Sequence, residues 1–149
     1  MATLQLQRVA APAGAGSHRP IAVRLRLGDD GEHVLLADTP AGNEGNGLGP
    51  DPHDLYDAAL AACKAVTVLW AARRRGVPVT ELALELRSDR SREREGVYAM
   101  DVRMQVAGPL TPEQVAQLQA IADKCPVHKL MTQVRTEVTT TVAWSPPVA

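Results

Sequence analysis

The stretch PHDLYDAALAACKAVTVLWAARRRG, residues 52–76, limits what this chain can fold into more than any other. Pro52 suits a helix start, Asp54 and Asp57 fall in the first turns, and Arg73, Arg74 and Arg75 close the last turn before Gly76. That charge order follows the helix dipole and predicts a helix over 53–75. Leu55, Tyr56, Ala59, Cys63, Val66 and Trp70 share one face, and Ala58, Ala62, Val68 and Leu69 widen it until the helix is apolar nearly all round. Such a helix is central and needs cover on more than one side. A monomer of 149 residues struggles to supply that cover, which argues for a dimer with this helix near the interface. The arginine triplet reads as a helix end rather than a nucleic-acid patch. Asp57 and Lys64 interrupt the apolar run 55–72 and make it weak as a membrane span.

Around this helix the chain reads as strands joined by turns. LQLQRVA alternates with period two, APAGAGSHRP is a small-residue loop, and IAVRLRL alternates with Val23, Leu25 and Leu27 on one face. GDDG turns the chain into EHVLLAD, completing a hairpin. These strands occupy residues 1–38. Residues 39–52, rich in Gly, Asn and Pro, form a loop of unusual length, a kind that is often functional or mobile. VTELALELRSD and YAMDVRMQVAG form a second hairpin within 79–108, with the charged RSREREG as its solvated tip. A second helix occupies 111–134. Thr111, Pro112 and Gln114 write a capping box at its start, and Pro126 breaks it. TEVTTTVAW, 136–144, reads as a terminal strand. The order β-β-β-α-β-β-α-α-β with tight hairpins is an α+β fold in one domain over 1–149.

The formal charge of −1 and a pI near 6.4 offer no global field for nucleic acid or anionic membrane. The first residues, MATLQLQRVAAPAGAG, lack a basic segment and an apolar run, so no signal peptide is read and a cytoplasmic location is expected. Aromatics are 3% of the chain with no Phe, so its helices pack through Ala, Val and Leu.

Two cysteines remain as the chemistry-bearing residues, each on the apolar stripe of its own helix. In ADKCPVHKLM, Cys125 precedes Pro126 and so falls at a helix N-cap, where free N–H groups and the dipole favour thiolate. Three readings stand side by side. Both can be small buried hydrophobes, as free cysteines usually are. They can face each other and cycle between dithiol and disulfide. Or Cys125 and His128, spaced C-x-x-H, can join Cys63 and His53 around a metal, although zinc sites usually draw on two compact pairs and no metal is expected. His128 can equally hydrogen-bond backbone or pack.

GPDPHDLYDAALAACKAVTVLWAARRRGVPVTELALEL together with VAGPLTPEQVAQLQAIADKCPVHKLM resembles the OsmC/Ohr family of thiol peroxidases, and within it a YhfA-like branch. The resemblance runs from about residue 20 to residue 142. It implies an intertwined homodimer with antiparallel sheets around two central helices and two active sites at the interface. It also implies that Cys63 attacks the peroxide O–O bond and becomes a sulfenic acid, which Cys125 resolves as a disulfide. No cofactor is implied beyond an external dithiol, a thiol reductant or a lipoylated protein. The organic-hydroperoxide branch pairs an arginine from an N-terminal loop with a glutamate ten residues before the reactive cysteine. Here Arg19 is the candidate arginine, and His53 stands at the glutamate's position with Asp54 beside it. Tyr56, on the same helix face as Cys63, joins His53, Asp54 and His128 as candidate substrate contacts. A small-molecule binding protein of the same fold, with little turnover, is the alternative function.

Overall fold

The computed structural model describes residues 4–10, 21–28 and 31–144. In chain order these form strands β1 (Gln5–Arg8), β2 (Val23–Leu27) and β3 (His33–Ala37), then helix α1 (Pro52–Arg75). Strands β4 (Glu81–Asp89) and β5 (Ala99–Ala107) follow, then helices α2 (Pro112–Ala122) and α3 (Pro126–Thr132). One sheet has the order β1-β2-β3 with antiparallel neighbours, and β4 pairs with β5. This is the α+β architecture that the hairpin signals predict. The chain divides into two compact units, Met1–Ala61 with Leu86–Val102, and Ala62–Glu85 with Arg103–Ala149.

In the first unit, alternation sets the register of β2: Val23, Leu25 and Leu27 are half-buried while Arg24 and Arg26 are exposed. Leu25 stands opposite Leu6 on one side and Leu35 on the other. The long loop after β3 is organised by a single carboxylate. Asp38 is buried and accepts the amides of Thr39 (2.8 Å), Asn46 (3.0 Å) and Leu48 (3.0 Å). Those amides, Leu48 first, hold its pKa below the ordinary aspartate value. A loop without its own ladder thus finds acceptors for three of its N–H groups in one side chain. Gly49 passes so close to β3 that a Cβ there would sit 2.5 Å from the Leu36 carbonyl oxygen. The loop APAGAGSHRP lies outside the described residues.

In the second unit, Val68 and Ala72 of α1 pack with Val77, Leu118 and Ala122 as a buried core. The inner positions Leu82, Met104 and Val106 of β4 and β5 pack against it. The buried stripe of α1 runs through Leu60, Lys64, Val68, Ala71 and Ala72. Val66 and Trp70, which share the face of Cys63 in the sequence, are 65% and 59% exposed. A helix apolar all round gives the periodicity no contrast with which to choose a face. α2 begins with the capping box read from the sequence: Gln114 N–H donates to Thr111 Oγ1, and Thr111 N–H donates to Gln114 Oε1. It ends at Ala122, and α3 restarts at Pro126 as expected.

One expected element is not formed. Residues 136–144 are not a strand, and Val138, Val142 and Trp144 are 80%, 91% and 81% exposed. A strand exists only through a ladder with a neighbour, and among the described residues none pairs with this segment.

Candidate active site

The break between α2 and α3 builds the first cluster, all of it within the second unit. Cys125 is the N-cap of α3, in extended conformation (φ −63°, ψ 146°), and Pro126 takes the next position, where a missing N–H costs nothing. Consecutive amides of that first turn then serve two sulfurs. His128 N–H donates to Cys125 Sγ at 3.4 Å, and Val127 N–H donates to Cys63 Sγ at 3.5 Å. Both cysteines are free; Cys63 is half-buried and Cys125 fully buried.

The N-cap does not make Cys125 a ready thiolate. Burial pushes its pKa above the ordinary cysteine value, and the neighbouring Cys63 adds to the rise. The His128 amide and the charge of Lys64 oppose it without reversing it. Desolvation wins because a fully buried sulfur loses the whole hydration of its anion for one amide bond.

Lys64 is the residue sequence reading missed. It lies on the buried stripe at 6% exposure. Its Nζ donates to the Ala122 carbonyl at 2.8 Å and lies 3.1 Å from His128 Nδ1. An ammonium only donates, so Nδ1 accepts and the proton of a neutral ring sits on Nε2. The signal was present in the sequence as a lone charge inside an apolar helix, where it counted only against a membrane span. His128 is therefore neither a mere packing residue nor free at Nδ1 for a metal. Among the described residues no three His, Cys, Asp or Glu side chains gather as metal ligands, so the set Cys63, Cys125, His53 and His128 is not assembled.

His53, Asp54 and Tyr56 take part in a second cluster, in the first unit. The His53 ring lies between two carboxylates, with Nδ1 3.0 Å from Asp51 Oδ1 and Nε2 3.1 Å from Glu93 Oε1. Arg90 bonds Asp54 at 2.9 Å and lies 3.6 Å from Asp51. Asp57 accepts from Ser88 Oγ (2.7 Å) and Tyr98 Oη (2.8 Å). The Tyr98 ring stacks with His53 at 6.3 Å and meets Tyr56 edge-on at 5.7 Å. These three rings, with Val97 and Glu93, line a cleft of about 490 Å³. Arg19 lies outside the described residues.

The hydrogen bond to Glu93, then that to Asp51, raises the His53 pKa above its ordinary value of 6.5. A raised pKa means that the pairing stabilises the fold fully below the unfolded value and is lost as pH rises through the folded one. Following the His53 ring protons by NMR should give a midpoint above 6.5, and Glu93→Gln should lower it. Equal midpoints in the two proteins would show that Glu93 does not hold the ring.

A sequence model described as OsmC-like protein matches residues 45–141. No curated protein matches the chain. Several solved structures share the fold. An OsmC-like protein from Mycoplasma pneumoniae superposes with a TM-score of 0.65 at 14% identity, over 90% of this chain and 89% of that one. The organic hydroperoxide resistance protein OsmC from Legionella pneumophila gives 0.60 at 18%, over 89% and 90%. The organic hydroperoxide resistance protein OhrB of Bacillus subtilis gives 0.54 at 20%, over 89% and 91%.

Proposed function

This chain belongs to the OsmC-like family, and on that premise we propose that it is a cysteine-based peroxidase that reduces hydroperoxides, organic ones above all. The observation that carries the reading is the pair of sulfurs served by consecutive amides, Val127 to Cys63 and His128 to Cys125. The half-buried Cys63 is the thiol a peroxide can reach, whereas Cys125 is fully buried. Cys63 thiolate attacks one peroxide oxygen, the O–O bond breaks, and the departing alkoxide takes a proton to leave as alcohol. The Cys63 sulfenic acid is then attacked by the Cys125 sulfur. An S–S bond forms, the S–O bond breaks, and the Cys125 proton leaves with the hydroxide as water. An external dithiol, free or carried as lipoyl on a protein, restores both thiols by exchange. Apolar residues dominate α1 around Cys63, which suits organic hydroperoxides. Arg19 is the proposed partner that orients the peroxide. The working form is a homodimer in the reducing cytoplasm, with no cofactor.

A second reading has its own support. The ring-lined cleft at His53, Tyr56 and Tyr98 suits a small apolar molecule, and His53 stands where the peroxidase branch carries glutamate. One equivalent of cumene hydroperoxide added to reduced protein separates the two. The peroxidase loses both free thiols at once and gains an intramolecular Cys63–Cys125 disulfide in the non-reduced peptide map. Folded, reduced protein that keeps both thiols sinks the peroxidase and leaves the binding reading in front.

A further inference from the structure

Lys64 has a feature that packing does not explain. It is a cation at 6% exposure with no carboxylate at ion-pair distance among the described residues. A buried charge without a counter-charge is among the costliest arrangements a fold can hold. Its neighbours come from three elements. α2 supplies the Ala122 carbonyl, α3 supplies His128, whose own amide bonds Cys125 Sγ, and Cys63 precedes Lys64 on α1. None of these carries a negative charge while both sulfurs are protonated. The carbonyl and His128 Nδ1 account for two of the three ammonium N–H bonds, leaving one for a further acceptor. The groups here that can become anionic are the two thiols.

We propose that Lys64 is a positioning residue whose buried ammonium is the counter-charge of the Cys63–Cys125 pair, admitting one thiolate at a time. One positive charge balances one anionic sulfur, and a second ionisation would have no partner. The pair thereby presents one nucleophile at a time: Cys63 toward the peroxide first, then Cys125, as thiolate, toward the sulfenic acid once Cys63 no longer carries the charge. By bonding both Ala122 and His128, Lys64 also ties the end of α2 and the first turn of α3 to the helix that carries Cys63. This proposal rests on the reading of the two cysteines as a redox pair, and its test does not depend on turnover.

Thiolate absorbance near 240 nm, followed against pH in the reduced protein, reads the pair directly. Lys64→Met is expected to raise the first thiolate midpoint by about one pH unit or more, and Lys64→Arg to return it most of the way. Should Lys64→Met not fold, Lys64→Gln keeps N–H donors without the charge and must show the same rise. A folded neutral variant with the wild-type midpoint, or an Arg variant that behaves like Met, overturns the counter-charge. The two readings fail separately. A midpoint that moves in a protein without peroxide turnover upholds the counter-charge and removes the peroxidase. Turnover with an unmoved midpoint does the reverse.

Discussion

Replacing Cys63 with serine should abolish dithiol-driven consumption of cumene hydroperoxide, a loss of about a thousandfold or more as when other enzymes lose their nucleophile. The hydroxyl that replaces the thiol has no accessible anion near neutral pH and no comparable affinity for peroxide oxygen. The fold should survive, because Cys63 is only half-buried and its sulfur accepts a single long bond from Val127 N–H. Cys125→Ser should fail differently. Its first equivalent of peroxide is consumed at a near-normal rate, since Cys63 still attacks. The sulfenic acid then has no resolving partner and advances to sulfinic acid under excess peroxide, so turnover stops after about one cycle. Stopped-flow consumption with mass analysis of the Cys63 peptide distinguishes the two. A Cys125→Ser enzyme that cycles normally without overoxidation would mean that the dithiol reduces the sulfenic acid directly. A Cys63→Ser protein that retains wild-type turnover would remove Cys63 from the mechanism altogether.

The parts of this molecule legible in its sequence are those in which one local rule suffices. Alternation placed Val23, Leu25 and Leu27 on one side of β2, and the capping box at Thr111 fixed the start of α2. The dipeptide Cys125–Pro126 marked the restart of a helix and brought a sulfur to its cap. What periodicity could not decide was which side of α1 is buried, because apolar residues surround it. Val66 and Trp70 share the apolar face read through Cys63, and the chain leaves them open while it buries Lys64. The two charges that interrupted the apolar run proved to be organising points. Asp57 anchors Ser88 and Tyr98, and Lys64 anchors Ala122 and His128. Sequence shows that such a charge is present, but its partners come from residues up to 64 positions away and are fixed only by the tertiary fold. The same reason explains the misreading of Cys125: a cap position is local, whereas the desolvation that raises its pKa depends on everything packed around it.

The open face of α1 and the unpaired tail lead to the second large effect. In the second unit Val66, Leu69 and Trp70 are 65%, 44% and 59% exposed, and Arg74 covers only the Trp70 ring, 5.0 Å from its centroid. The tail carries Val134, Thr136, Val138, Thr140, Val142 and Trp144 at alternate positions, a strand pattern without a ladder. Soluble monomers seldom leave an apolar helix face and an unpaired strand sequence open together. A second copy of this chain would satisfy both needs, burying the helix face and offering a sheet edge to the tail. Light scattering after gel filtration should accordingly give the mass of a dimer. Val66→Glu places a charge where the partner would exclude water, and should weaken association by about a hundredfold or more, enough to yield monomer at micromolar concentration. Removing residues 135–149 should act in the same direction by deleting the strand. Association should also make the melting temperature of the wild type rise with protein concentration, and that dependence should vanish in Val66→Glu. A wild type that runs as a monomer at all concentrations, with a concentration-independent melting temperature, would leave the helix face uncovered and overturn the dimer.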